Sequence, residues 1–150
     1  MLPFQVVLRP GESPYRQVVY AATRAVVAGE MAAGSSFPSV RELSQALKIN
    51  PNTAHKVVAQ LVRDGILEVL PGIGTVVAET RRSSPEERRL LLSEAVEHLV
   101  VEAKRLGLQA DDVLNAVSER WAELFGEGDP ERLHVAAQLR NESGGARTWR

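Results

Sequence analysis

Residues 38–77, PSVRELSQALKINPNTAHKVVAQLVRDGILEVLPGIGTVV, decide the fold of this chain. Ser39 stands three residues before Glu42 and just ahead of an apolar-periodic run, the pattern of a capping box at a helix start. The spacing predicts a helix over residues 40–48. Asn50-Pro51 marks a second start, because asparagine accepts from a free amide at the open end and proline at the first helical position sacrifices no hydrogen bond. From there Ala54, Val57, Val58 and Leu61 share one face, and Asp64-Gly65 ends the helix where glycine tolerates the left-handed conformation. The opposite face holds Asn52, His55, Lys56, Ala59, Gln60 and Arg63. Two short β-prone runs, residues 66–70 and 75–78, flank Pro-Gly-Ile-Gly and predict a hairpin with a glycine-rich tip.

Upstream, residues 1–14 are punctuated by Pro3, Pro10, Gly11 and Pro14 and contain only a short extended run at 4–8, a lead-in arm. Tyr15, Val18, Val19, Ala22, Ala25 and Val26 then recur at helical spacing, and Gly29 follows as the terminator. EMAAGSSF, ending at Phe37, reads as a plain connector. Three helices and a tight hairpin within about 65 residues is the order of a winged helix-turn-helix. Ala46 and Ile49 are small and apolar where the second and third helices are expected to approach closely.

Downstream, TRRSSPEERR from Thr80 is a polar boundary, with Ser83 or Ser84 as cap and Pro85 in the first helical turn. Leu91, Leu92, Ala95, Val96, Leu99, Val100, Ala103 and Leu106 predict a helix of about 20 residues ending at Gly107. A second helix over 110–125 carries Val113, Leu114, Val117, Trp121, Leu124 and Phe125 on one side. The expected fold class is therefore mainly α with a small β-hairpin: a winged helix-turn-helix domain at 1–80, a two-helix dimerisation unit at 81–128 and a weakly structured tail at 129–150. Two such helices are too few to enclose a drug-sized pocket, which needs roughly 300 Å³ or more. A stripe of Leu91, Leu92, Leu99, Leu106, Trp121 and Phe125 exceeds what a monomer leaves in water, and a second copy would bury it symmetrically.

Hydrophobic residues make up 44% of the chain and charged residues 25%, so a packed core is expected and wholesale disorder is not. The absence of cysteine excludes disulfides, thiol nucleophiles and cysteine-based zinc sites, and fits a reducing cytoplasm. No secretory leader or membrane-length apolar run is legible, so a cytoplasmic protein is expected. The net charge of −1 gives no hint of nucleic acid, but its distribution is uneven: Arg41, Lys48, Lys56 and Arg63 meet only Glu42 between residues 40 and 63.

The polar face of the third helix suits a major groove, into which the second helix of a helix-turn-helix projects its N-terminal residues. Asn52 can pair bidentately with adenine, Thr53 and His55 can reach phosphates or base edges, and Lys56 can reach phosphate or guanine. Arg41 is expected near the backbone, and the amides opening the third helix add a positive potential. No clustered carboxylates or nucleophile elbow is present, and Gly72-Ile73-Gly74 lacks the helix a dinucleotide loop requires, so an enzyme is not expected and no cofactor is called for. Glu94, Glu97, His98 and Glu102 could be imagined around a metal, but with no second histidine nearby they read as a solvated helix face.

Residues 38–77 resemble the DNA-binding domain of GntR-type regulators, and Asn-Pro-Asn-Thr at 50–53 resembles the YtrA-type subgroup. Pro-Ser-x-Arg-Glu-Leu, Asn-Pro-Asn-Thr, Asp-Gly-Ile-Leu and Gly-x-Gly-Thr fall in the family's order, and the likeness covers roughly residues 10–125. The resemblance implies a dimeric regulator, with Arg41, Asn50, Asn52, Thr53, His55, Lys56 and Gly72 at the DNA; Gln60 is added from its face on the helix. Pro51 and His55 stand where many relatives carry arginine. The wing residues Val69, Leu70, Pro71 and Ile73 stand where relatives often place cations, which implies shape or backbone contact at Gly72 instead of charge pairing. The leading expectation is a repressor on a palindromic operator, bound as a homodimer, with an effector the residues do not identify. The alternative is a winged-helix module that meets a protein instead of DNA.

Overall fold

A computed structural model describes residues 1–79 and 83–126. The chain divides into two compact units, Met1–Arg89 and Leu90–Arg150. The polar stretch read as a domain boundary near residue 80 thus lies within the first unit. The tail expected at 129–150 lies outside the described residues.

In the first unit, α1 (Pro14–Val27) opens at Ser13, whose side chain accepts from the Arg16 amide, and buries Val18, Ala22, Ala25 and Val26 along one face. The segment α2 (Val40–Leu47) carries the capping box in full: Ser39 Oγ accepts from the Glu42 N–H, and the Glu42 carboxylate accepts from the Ser39 N–H at 2.8 Å. It stops one residue earlier than the periodicity suggests, because Lys48 swings into the left-handed region (φ 53, ψ 44) to turn the chain towards Asn50. In α3 (Pro51–Arg63), Asn50 accepts from the Asn52 N–H at 2.8 Å and Asp64 is the C-cap. The core forms where α1 and α2 pack on α3 and α3 packs on β1 (Leu67–Leu70). Val18, Ala22, Leu43, Ala54, Val57 and Leu61 are completely buried there. The small residues Ala22 and Ala54 allow close helix approach. Ala46, expected at that contact, is exposed instead, and Leu43 is the buried residue of α2.

Strands β1 and β2 (Gly74–Val77) pair antiparallel with Leu67 opposite Val77 and Leu70 opposite Gly74. Between them Pro71 precedes Gly72 (φ 74), and the Ile73 N–H donates to the Leu70 carbonyl at 3.1 Å, the arrangement of a type II turn. The segment read as a plain connector is a third pairing partner. Phe37 N–H donates to Thr75 O, Val77 N–H to Ser35 O and Gly34 N–H to Val77 O, all within 2.9 Å, with a bridge between Ser36 and Val76. This covers the outer edge of β2, which would otherwise offer an open hydrogen-bonding rim. The lead-in arm also joins the core: Phe4 is buried against Phe37, with Leu2, Val6 and Leu8 packed alongside at every second residue.

A helical run begins with α4 (Pro85–Leu90), capped by Ser84, whose hydroxyl accepts from the Glu87 N–H. It continues through a π-helical turn, Leu91–Ala95, into α5 (Val96–Arg105). The expected uninterrupted helix is therefore broken in register by five residues of wider turn. In the second unit α5 is followed by Gly107 and then α6 (Ala110–Phe125), where Gln109 and Asp112 form a reciprocal capping box. Ala103 is the one residue of α5 and α6 that is buried.

Candidate nucleic-acid interface

Burial of Ala54, Val57 and Leu61 fixes which side of α3 faces out. With 100° between successive residues, this leaves Asn52, His55 and Lys56 on the side away from the core, and all three are exposed. Thr53 is half-buried at the edge of the same surface. Asn50 uses its carbonyl oxygen as the cap, which leaves its amide nitrogen available to a ligand. Arg41 is exposed in the first turn of α2, and Gly72 sits at the exposed tip of the hairpin.

The electrostatics of this region follow from what is not neutralised. Among the described residues, Arg41, Lys48 and Lys56 take part in none of the ion pairs, which join Arg9 to Glu12, Arg89 to Glu86, Arg105 to Glu102 and Arg120 to Glu123. Glu42, the acid nearest to Arg41 in sequence, is committed to the cap. The Ser39 backbone N–H, and then its hydroxyl, hold that carboxyl below the usual glutamate range. The start of α3 adds its share of positive helix dipole, and at its first turn the proline carries no N–H.

Gln60 is placed differently. Its Oε1 accepts from the Tyr15 hydroxyl at 3.0 Å and from Arg63 Nη2 at 2.7 Å, and its Nε2 donates to Asp64 Oδ1 at 2.8 Å. Its amide is engaged within the chain, on a half-buried flank of α3. Tyr15 was legible only as the first apolar residue of α1, and no local signal ties it to a residue 45 positions away. The hairpin tip carries no cation; Val69 and Ile73 are 61% and 70% exposed.

In the second unit, Leu99, Leu106, Val117, Trp121 and Phe125 line an apolar groove of about 450 Å³ between α5 and α6, with the buried Ala103 among its lining. That volume exceeds the drug-sized threshold two helices were expected to miss. It is nevertheless a surface cleft and not an enclosed chamber, since Leu106 and Trp121 remain 64% and 59% exposed. Trp121 meets Phe125 edge-on at 5.1 Å. Leu91 and Leu92 lie apart from the groove, exposed in the π-helical turn. Glu94, Glu97, His98 and Glu102 are all exposed, and no group of three potential metal ligands is present among the described residues.

A sequence model of the family described as bacterial regulatory proteins, gntR family, matches residues 14–77. The chain is similar to the HTH-type transcriptional repressor YtrA of Bacillus subtilis (strain 168), 30% identical over 113 residues that make up 75% of this chain and 87% of that protein. Among solved structures it is similar in fold to a transcriptional antiterminator from Listeria monocytogenes EGD-e, with a TM-score of 0.72 at 23% identity over 84% of this chain and 94% of that one. It is also similar to a GntR family transcriptional regulator from Listeria monocytogenes, with a TM-score of 0.57 at 25% identity over 75% of this chain and 98% of that one.

Proposed function

We propose that this chain, which belongs to the gntR family of bacterial regulatory proteins and is a DNA-binding transcriptional regulator, represses transcription by occupying a palindromic operator as a homodimer. The observation that carries the reading is the exposed polar face of α3, bounded by Asn52, His55 and Lys56, at the end of a helix-turn-helix whose cations Arg41, Lys48 and Lys56 take part in none of the ion pairs among the described residues. In this reading Asn52 pairs with an adenine edge, Lys56 meets guanine or phosphate, and Thr53, His55 and the amide nitrogen of Asn50 bind the backbone or adjoining bases. Arg41 clamps a phosphate. Gly72 brings the backbone of the hairpin turn to the duplex, while Gln60 supports α3 from the protein side.

The dimer is inferred from exposed apolar surface. Leu99, Leu106, Trp121 and Phe125 around the groove, with Leu91 and Leu92 on the preceding turn, would stand in water in a single subunit. An isologous contact between two such units buries them and places two recognition helices on half-sites one helical turn, or a multiple of it, apart. The repressor role is supported by the likeness to a protein named as a repressor. The site of action proposed is the cytoplasm; no helix among the described residues is long and apolar enough to cross a membrane.

Selection of bound duplexes from a random pool tests the whole reading. A palindrome with fixed half-site spacing is the expected result. A second reading, in which the winged domain meets a protein, is favoured by the exposed apolar hairpin tip. Failure of the intact dimer to shift any duplex at low salt would select that reading over the first.

A further inference from the structure

We infer that Tyr15 and Gln60 form a clamp that sets the rotation of α3 about its own axis, making Tyr15 a positioning residue for operator discrimination; this rests on the DNA-binding reading above. Asn52, Lys56 and Gln60 occupy one i, i+4, i+8 row of α3, and that row drifts by 40° per step because four residues exceed one turn. Asn52 and Lys56 are consequently exposed, while Gln60 has come round towards α1 and is half-buried. There its Oε1 accepts from the Tyr15 hydroxyl at 3.0 Å. The residue that ends the reading row is therefore tied to the first turn of a different helix.

Apolar packing supplies only part of this restraint. Val18, Ala22 and Ala25 of α1 and Ala54, Val57 and Leu61 of α3 are buried in one core where the two helices pack, and the hydrophobic term between them carries no angular dependence. A hydrogen bond does: it weakens steeply away from linear geometry. Gln60 is itself immobilised, since Arg63 donates to its oxygen and its nitrogen donates to Asp64. Tyr15 is anchored at its end of α1 by the Ser13 cap and by Gln17, whose carboxamide accepts from the Arg9 N–H at 2.7 Å and donates to the Arg9 and Glu12 carbonyls. Without the clamp a roll of about 10° moves a side-chain tip about 6 Å from the helix axis by about 1 Å. Base-edge recognition requires placement to within about 0.5 Å. Phosphate contacts by long flexible cations absorb such a shift, so the clamp acts on specific binding more than on general affinity for DNA.

The experiment uses the full chain, with the operator selected as above and a scrambled duplex of equal length. Tyr15→Phe, which removes this one hydrogen bond, is expected to lower the ratio of operator to scrambled affinity about fivefold, and Gln60→Met, which also removes the bonds to Arg63 and Asp64, at least as much. The double variant should lose no more than Gln60→Met alone, binding to scrambled DNA should stay within twofold, and cooperative thermal unfolding should persist in all three. Additive losses would make Gln60 a DNA contact in its own right and overturn the clamp. Equal losses on both duplexes, or an unchanged ratio, would overturn it as well. Wild-type protein that shifts neither duplex would overturn the DNA-binding reading itself, a result distinct from all of these.

Discussion

The ring of Phe4 lies against that of Phe37, with centroids 5.8 Å apart and planes inclined by 11°. Two segments that read as a lead-in and a connector are thereby joined into the floor of the winged domain. Phe4→Ala removes a ring that is 5% exposed and should cost about 3 kcal/mol, the range for deleting a buried aromatic side chain. Urea denaturation checks this, and a cost below about 1 kcal/mol would mean the arm lies on the domain without contributing to its core.

Asn52 is the sharpest probe of base reading. Asn52→Ala should cost about 1 to 3 kcal/mol at one base pair per half-site and leave the dimer intact. Binding measured on operators substituted one position at a time locates that pair. Equal loss on every sequence would turn Asn52 into a backbone contact.

The hairpin tip, with Ile73 70% exposed and no cation, implies few phosphate contacts from the wing. Ile73→Lys should therefore tighten binding at low salt and steepen the slope of log K against log salt by about one unit. A titration between low and moderate salt reads the slope directly. An unchanged slope would place the tip away from the duplex.

What was legible in the sequence was what local chemistry writes locally. Ser39 with Glu42, Asn50 with Pro51 and Asp64 with Gly65 each satisfy backbone groups within one turn, so helix ends fall within a residue or so of their expected places. The elements that escaped are long-range. Ser36 pairs with Val76 through a single bridge, too short for an alternating pattern to form, and Tyr15 meets Gln60 only because α1 and α3 pack together. The same limit applied at the candidate interface: the outward face of α3 gave Asn52, His55 and Lys56, but the drift of the row that carries Gln60 off that face does not identify Tyr15 as the residue it meets. Lys48 ended α2 early through a left-handed backbone that lysine seldom adopts and that no motif announces.

The capping box of α2 predicts a pH dependence with a definite sign. Hydrogen bonds from Ser39 hold the Glu42 carboxyl below its ordinary range in the folded chain, so its contribution is present at neutral pH and is lost as pH falls through the lowered value. Glu42→Gln should therefore be less stable than wild type at pH 7, and the two melting temperatures should draw together as pH falls below the ordinary glutamate value and through the lowered one. A difference that stays constant across that window would show that the cap acts through shape and not through charge.

Dimerisation through the groove of the second unit can be separated from folding of the first. Trp121 is 59% exposed and contributes nothing to the winged domain's core, so Trp121→Asp should leave that domain folded while placing a charge in the proposed two-fold contact. Sedimentation should then report one subunit where the proposed dimer of the wild type gives two. Operator affinity should fall about 100-fold or more, because the second half-site is no longer held at high effective concentration. Binding to a single half-site should barely change, since α3 and its polar face are untouched. A dimer that survives both Trp121→Asp and the added Leu106→Asp would place the two-fold contact elsewhere on the chain, and a half-site affinity that collapses with the substitution would mean that the two units are coupled in a way the apolar groove alone does not require.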